Sequence, residues 1–291
     1  MQYQCRLHNI PIFLSASIPT AQRRNEYEVN HVNKIDFLRV EDAATRIEEA
    51  IICLARAIFS EGGTLVFGGH PSISPLVARI LDHYYLPSPA EEISDDRRDL
   101  DDDTNWKNPS LIIYQSRVWE KFLVPETEYL SKHPQVEIKW TEAIGDERAD
   151  PSITDRPQAP LSMHHMRERM IADIDPAAMV VIGGMQGVLD EAGIFHEQYP
   201  TKSIFTLPST GGAARVLAEL DQNPPIVSDS DQRAAELIQE FWRQRTDDEI
   251  NWEQLYPSAT SYIPYAFVTQ QIISRVIDDY KPEPIMQYRT M

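Results

Sequence analysis

The sequence predicts an α/β protein, a parallel sheet with helices packed on both of its faces. Two observations predict it. Short apolar runs of strand length alternate with stretches of helical period, in the order β-α repeated six times. Several of those runs end in glycine or small residues and open directly into a helical pattern, as strands of a parallel sheet do. Further helices follow the last strand, and no internal repeat is present.

The elements follow in order. "IPIFLSAS" (10–17) reads as a buried strand ending in small residues. From Arg46, the residues Ile47, Ile51, Leu54 and Ile58 recur at helical spacing and stop at Gly62-Gly63. "TLVFGG" (64–69) is a second strand, and Ser74-Pro75 reads as a cap with proline at the first position of a helix reaching Tyr84. "SLIIYQS" (110–116) and "VEIKW" (136–140) are strands with a short helix near 126–132 between them. A helix over 163–174, a strand over 179–183 and a helix over 187–197 come next. "SIFTLPS" (203–209) is the last strand, and helices are predicted at 212–221, 231–245 and 265–279. The polar segments 91–106, 145–160 and 221–232 read as solvated loops.

Composition bounds the function. The 291 residues carry 42% hydrophobic and 25% charged side chains, enough to bury a core. A net charge of −18 argues against nucleic acid as a partner, because a phosphate backbone needs a basic face. A small anion could still be held locally by backbone N–H groups and an arginine. The two cysteines, Cys5 and Cys53, make no disulfide framework, so a reducing cytoplasm is the expected setting. No signal-peptide pattern opens the chain, and Ile51 to Phe59, interrupted by Arg56, is too short to span a bilayer. No membrane association is expected. His164-His165 lie about 100° apart on a helix, too far round to share a metal, and no metal or cofactor is expected.

Ligands of open parallel sheets sit at the carboxyl ends of the strands. Four such ends carry one chemistry here: Ser15 and Ser17, then Gly68-Gly69-His70, then Gly183-Gly184 with Gly187, and Ser209-Thr210-Gly211-Gly212. Glycine admits close backbone approach, and a helix N-terminus favours an anion. One such loop is ordinary turn punctuation; four along one edge point to a pocket for a phosphate-bearing or nucleotide-like ligand. Neither a Walker P-loop nor the GxGxxG fingerprint is present. His70 either lines that pocket or bonds locally. Glu191, four residues after Gly187, falls in the expected first turn of the next helix and points at the same pocket. Beside a phosphate it would be repulsive unless it served a sugar or a water, while Asp190 reads as a complement to the helix dipole.

"MHHMRERMIADIDPAAMVVIGGMQGVLDE" (163–191) resembles the signature of the lonely-guy phosphoribohydrolases, with an arginine on a helix, a strand, a glycine-rich turn and a glutamate. "IFLSASIP", "LVFGGHPSISP" and "LPSTGGAA" are similar to loops of the wider SLOG superfamily, and specifically to its bacterial cluster-three subgroup. The resemblance implies a single Rossmann-like domain over 1–291, with a core over about 8–222 and a C-terminal helical part over about 230–281. It assigns Arg167 to ligand contact, Glu191 to catalysis or ribose binding, and Gly183, Gly184 and Gly187 to the phosphate loop. Where the hydrolase motif has proline and threonine, this chain has Ile182 and Val188, and Gln186 lengthens the loop. Those departures weigh against cleavage and leave nucleotide binding in place.

The expected function is therefore binding of a nucleotide-derived small molecule, ADP-ribose-like or a cyclic nucleotide, as the sensor of a bacterial antiphage defence system. It would act through a partner protein, such as a TIR or other effector, or through self-assembly. The alternative is an N-glycosidic hydrolase in which Glu191 supports an oxocarbenium-like ribose. A structural protein with a vestigial pocket explains the four loops least well.

Overall fold

The computed structural model describes residues 6–8, 10–18, 40–85, 110–153, 158–220 and 264–280. Six strands form one sheet: β1 (Pro11–Ser17), β2 (Thr64–Gly68), β3 (Leu111–Ser116), β4 (Val136–Thr141), β5 (Ala178–Gly183) and β6 (Ile204–Leu207). All pairings are parallel, in the spatial order β4-β3-β2-β1-β5-β6. The chain steps outward from β1 to β4, then returns across the sheet to place β5 on the other flank of β1. This is an α/β Rossmann-like fold, and its topological switch point lies between β1 and β5, the place where open parallel sheets bind their ligands.

The strands alternate their side chains between two cores, as the two-residue period dictates. Ile12, Leu14, Leu65, Phe67, Val180 and Ile182 face one core. Helices α1 (Val40–Ser60), α2 (Ser74–Tyr85) and the C-terminal helix α7 (Tyr265–Asp279) close it. Phe13, Val66, Met179 and Val181 face the other. There the cover comes from α4 (Pro160–Ala172), α5 (Gln186–Gln198) and α6 (Gly212–Leu220). The short α3 (Pro125–Leu130) precedes β4.

Helix α1 ends where its glycines predict. Gly62 takes φ 72°, and the Gly63 and Gly62 N–H groups return to the carbonyls of Ile58 (3.0 Å) and Phe59 (3.1 Å). That is the Schellman arrangement, which spends the terminal carbonyls of the helix. The C-terminal helix spans the predicted residues 265–279 and lays Val268, Ile272, Ile273 and Val276 against α1 and its core.

Several boundaries differ from the sequence reading. Helix α1 begins at Val40, six residues before Arg46. The strand expected over 203–209 stops at Leu207, because Pro208 has no N–H for a ladder and Pro208–Thr210 turns as a 3₁₀ segment. Another 3₁₀ segment, Arg117–Phe122, follows β3. The helix expected at 231–245, Cys5, and the loops at 91–106 and 221–232 lie outside the described residues. Among the described residues, no helix is long and apolar enough to cross a membrane.

Candidate functional site

At the switch point, β1 and β5 run in register so that Ser17 sits beside Gly183 and Ser15 beside Val181. Gly183 takes φ 58°, and a Cβ built there would lie 2.4 Å from Ile47 Cδ1 of α1. Only glycine lets the chain turn out of β5 this close to α1. The Gly184 N–H then donates to the Ser17 carbonyl at 2.9 Å, and the Gly183 N–H donates to the Thr210 hydroxyl at 2.8 Å. The buried Thr210 hydroxyl in turn donates a hydrogen bond to the Leu207 carbonyl. The Ala213 N–H reaches the Gly184 carbonyl at 3.0 Å, and the Gly211 N–H closes on Pro208 at 3.0 Å. The β1, β5 and β6 loops are thus stitched to one another, and these four N–H groups are already spent on protein acceptors.

The same strand ends carry a charged cluster. Ser15, 1% exposed, donates its hydroxyl to Glu191 Oε2 at 2.5 Å. Arg167 of α4 donates Nε–H to Glu191 Oε1 at 3.3 Å and holds Nη1 3.7 Å from Asp190. The Arg167 and Glu191 side chains are 18% and 13% exposed, so the pair is shielded but still reachable. Burial pushes the Glu191 carboxyl above the ordinary glutamate value; Arg167 and the Ser15 hydrogen bond oppose the shift, and Asp190 adds to it. Asp190 also accepts the Gln186 side-chain amide at 2.9 Å.

Helix α5 starts at Gln186, so Glu191 lies in its second turn rather than the first. Its place is set by Ser15 and Arg167, not by the helix dipole. Gly187 has a specific steric role: a Cβ there would lie 2.5 Å from Arg167 Nη2. The missing side chain makes room for the guanidinium beside both carboxylates. Val188, buried over Gly184, would meet that glycine's Cβ at 2.5 Å.

Other strand-end residues are placed differently. The Gly69 N–H donates to the Tyr114 carbonyl at 2.7 Å, and the Gln115 side chain passes where a Gly69 Cβ would stand. Gly68 lies under Met166, whose Cε is 3.2 Å from its constructed Cβ. His70 Nδ1 meets the Ser72 hydroxyl at 2.8 Å, a local turn contact. Ser209 pairs its hydroxyl with the Tyr265 hydroxyl of α7 at 3.0 Å. Gly212 opens α6 with φ 56°.

One basic residue at this edge was not singled out from the sequence. Arg46 of α1 donates Nη1–H to the Ser209 carbonyl at 3.4 Å. Its neighbour Ile47 packs on Gly183. Nothing in the local sequence separates Arg46 from any charged residue on a helix, because its position depends on a contact with a turn 163 residues away. Among the described residues, no carboxylate stands within ion-pair distance of it.

No curated protein matches the chain. Residues 98–241 match the model of the SLOG cluster3 family. The matched stretch contains Arg167, the Gly183-Gly184 turn, Glu191 and the Ser209–Gly212 loop, while Ser15 and Arg46 lie outside it. That stretch, just under half of the chain, is thus similar to the SLOG cluster3 family, the subgroup that the loop motifs of the sequence resemble.

Proposed function

We propose that this protein binds a nucleotide-derived small molecule, ADP-ribose-like or a cyclic nucleotide, in the crevice above β1 and β5. The carrying observation is the Ser15–Glu191–Arg167 cluster at the switch point, where a shielded carboxyl meets a hydroxyl donor and a guanidinium. A carboxyl of this kind suits the hydroxyls of a ribose: ionised, it accepts hydrogen bonds from them, and when protonated it can also donate one. The match of residues 98–241 to the SLOG cluster3 family supports a nucleotide-related ligand. In this reading the protein is a sensor in a bacterial antiphage system, with its output passed to a partner such as a TIR effector or to self-assembly in the cytoplasm.

N-glycosidic hydrolysis is the second reading, favoured by the upward shift of Glu191. A carboxyl poised nearer neutrality is suited to proton transfer with a leaving base or an attacking water. Arg167 would then hold the carboxyl in place and offset charge as it ionises.

Incubating the wild type with nucleoside monophosphates, ADP-ribose and cyclic ADP-ribose, followed by chromatography, separates the two. Bound ligand recovered intact is the expected result. Steady release of free base that disappears in Glu191→Gln establishes the hydrolase instead. Native mass spectrometry of the purified protein, expecting a co-purified nucleotide, tests the shared premise.

A further inference from the structure

We infer that Arg46 is the anion anchor of a two-ended ligand site. The phosphate of the ligand would lie beside Arg46 and Ser209, and its ribose end at Glu191. The inference rests on the nucleotide reading above and goes beyond it by assigning which end of the ligand goes where.

The argument begins with charge. Arg167 already faces two carboxylates, Glu191 at 3.3 Å and Asp190 at 3.7 Å. A phosphate brought to that guanidinium would meet both of them, and like charges this close in a shielded site repel strongly. Backbone donors do not offer a full alternative. The N–H groups of Gly183, Gly184, Gly211 and Ala213 all end on protein oxygens. An anion at this edge therefore has fewer backbone donors than its glycines suggest, and a further cation would strengthen its hold.

Arg46 supplies it. Among the described residues its contact is a long hydrogen bond to a carbonyl, with no carboxylate within ion-pair distance. The Ser209 hydroxyl, paired with Tyr265, belongs to the same turn. A guanidinium with a hydroxyl alongside is a donor set for a phosphate or diphosphate oxygen. The two ends also fall on opposite sides of the sheet. Arg46 rises from α1, which covers one face, and Arg167 and Glu191 rise from α4 and α5, which cover the other. A ligand lying across the β1–β5 crevice would reach both.

Calorimetric titration of wild type, Arg46→Gln, Arg46→Lys and Arg167→Gln with inorganic pyrophosphate, adenosine and ADP-ribose tests this. Arg46→Gln should weaken pyrophosphate and ADP-ribose by roughly tenfold to a hundredfold, as loss of a charge-assisted contact does. It should leave adenosine unchanged, with Arg46→Lys in between. Arg167→Gln should weaken adenosine and ADP-ribose and spare pyrophosphate. Undiminished pyrophosphate and ADP-ribose binding in Arg46→Gln overturns the anchor, as does equal loss of adenosine in that variant. Wild type that binds pyrophosphate at Arg46 but neither nucleoside nor nucleotide overturns the nucleotide reading and leaves the anchor standing. Wild type that binds adenosine but not pyrophosphate, and ADP-ribose no better than adenosine, overturns the anchor alone. Wild type that binds none of the three overturns both.

Discussion

Ser15 donates a 2.5 Å hydrogen bond to Glu191, joining the end of β1 to the second turn of α5 across 176 residues of sequence. The bond does two things. It fixes the carboxyl at the switch point, and it stabilises the ionised form of a group that burial pushes toward protonation. Ser15→Ala should cost about 1–3 kcal/mol of stability where Glu191 is ionised, the usual loss for a buried charged acceptor stripped of a donor. Denaturant titrations at several pH values should show the deficit shrinking in acid, where the protonated carboxyl depends less on that donor.

Glu191 itself makes stability depend on pH with a definite sign. Its folded-state value lies above the unfolded one, so the folded protein binds the extra proton between the two. Stability contributed by that group is therefore full below the unfolded value and is lost as pH rises through the folded value. Glu191→Gln removes the titration. Its stability relative to wild type should rise as pH climbs from the ordinary glutamate range toward neutrality. A difference that stays flat across that window, measured by thermal melts, would mean Arg167 and Ser15 cancel the effect of burial.

Gly183 and Gly145 share nearly the same backbone angle, φ 58° and φ 59°, in different surroundings. Around Gly145 nothing stands within 4 Å of a built Cβ, while at Gly183 Ile47 stands 2.4 Å away. Alanine at either position pays for left-handed backbone, about 1–2 kcal/mol. At Gly183 it must also displace the Ile47 side chain, at about 1–3 kcal/mol more. Urea denaturation of the two variants should show that gap, and equal losses would mean that Ile47 yields freely.

Much of the fold was legible because it rests on local periodicity. The C-terminal helix, the stop at Gly62-Gly63 and the six strands follow from apolar spacing and turn residues. The strand ends were legible as a group, since β-α order alone brings them to one edge. What the glycines do there was not. Their N–H partners, Thr210 for Gly183 and Ser17 for Gly184, come from other loops and leave no local mark. Arg46 was hidden for the same reason, as its meaning arises only when α1 packs against the turn after β6. Glu191 falls one turn later than expected although the start of α5 is legible to within one residue, because five residues from Gln186 already carry the helix past its first turn.

Gly187 offers a way to disturb the site without touching a charged residue. A methyl group at this position would press on Arg167 Nη2, the far end of a flexible side chain, so the fold can yield by moving the guanidinium. Alanine also improves helix propensity over glycine by roughly 0.5–1 kcal/mol, offsetting part of the cost. Gly187→Ala should therefore melt within a few degrees of wild type, as a change of about 1 kcal/mol or less permits. Arg167 should nevertheless be pushed from its place between Glu191 and Asp190. Adenosine and ADP-ribose affinity should fall by about tenfold, a part of the loss expected for Arg167→Ala. Pyrophosphate, held at Arg46 on the other side of the crevice, should bind as before. Calorimetry and melting curves on one preparation decide the matter: affinity lost with stability kept places the guanidinium in the ligand site. Affinity kept in Gly187→Ala and in Arg167→Ala alike would make this ion pair a strut between α4 and α5 alone.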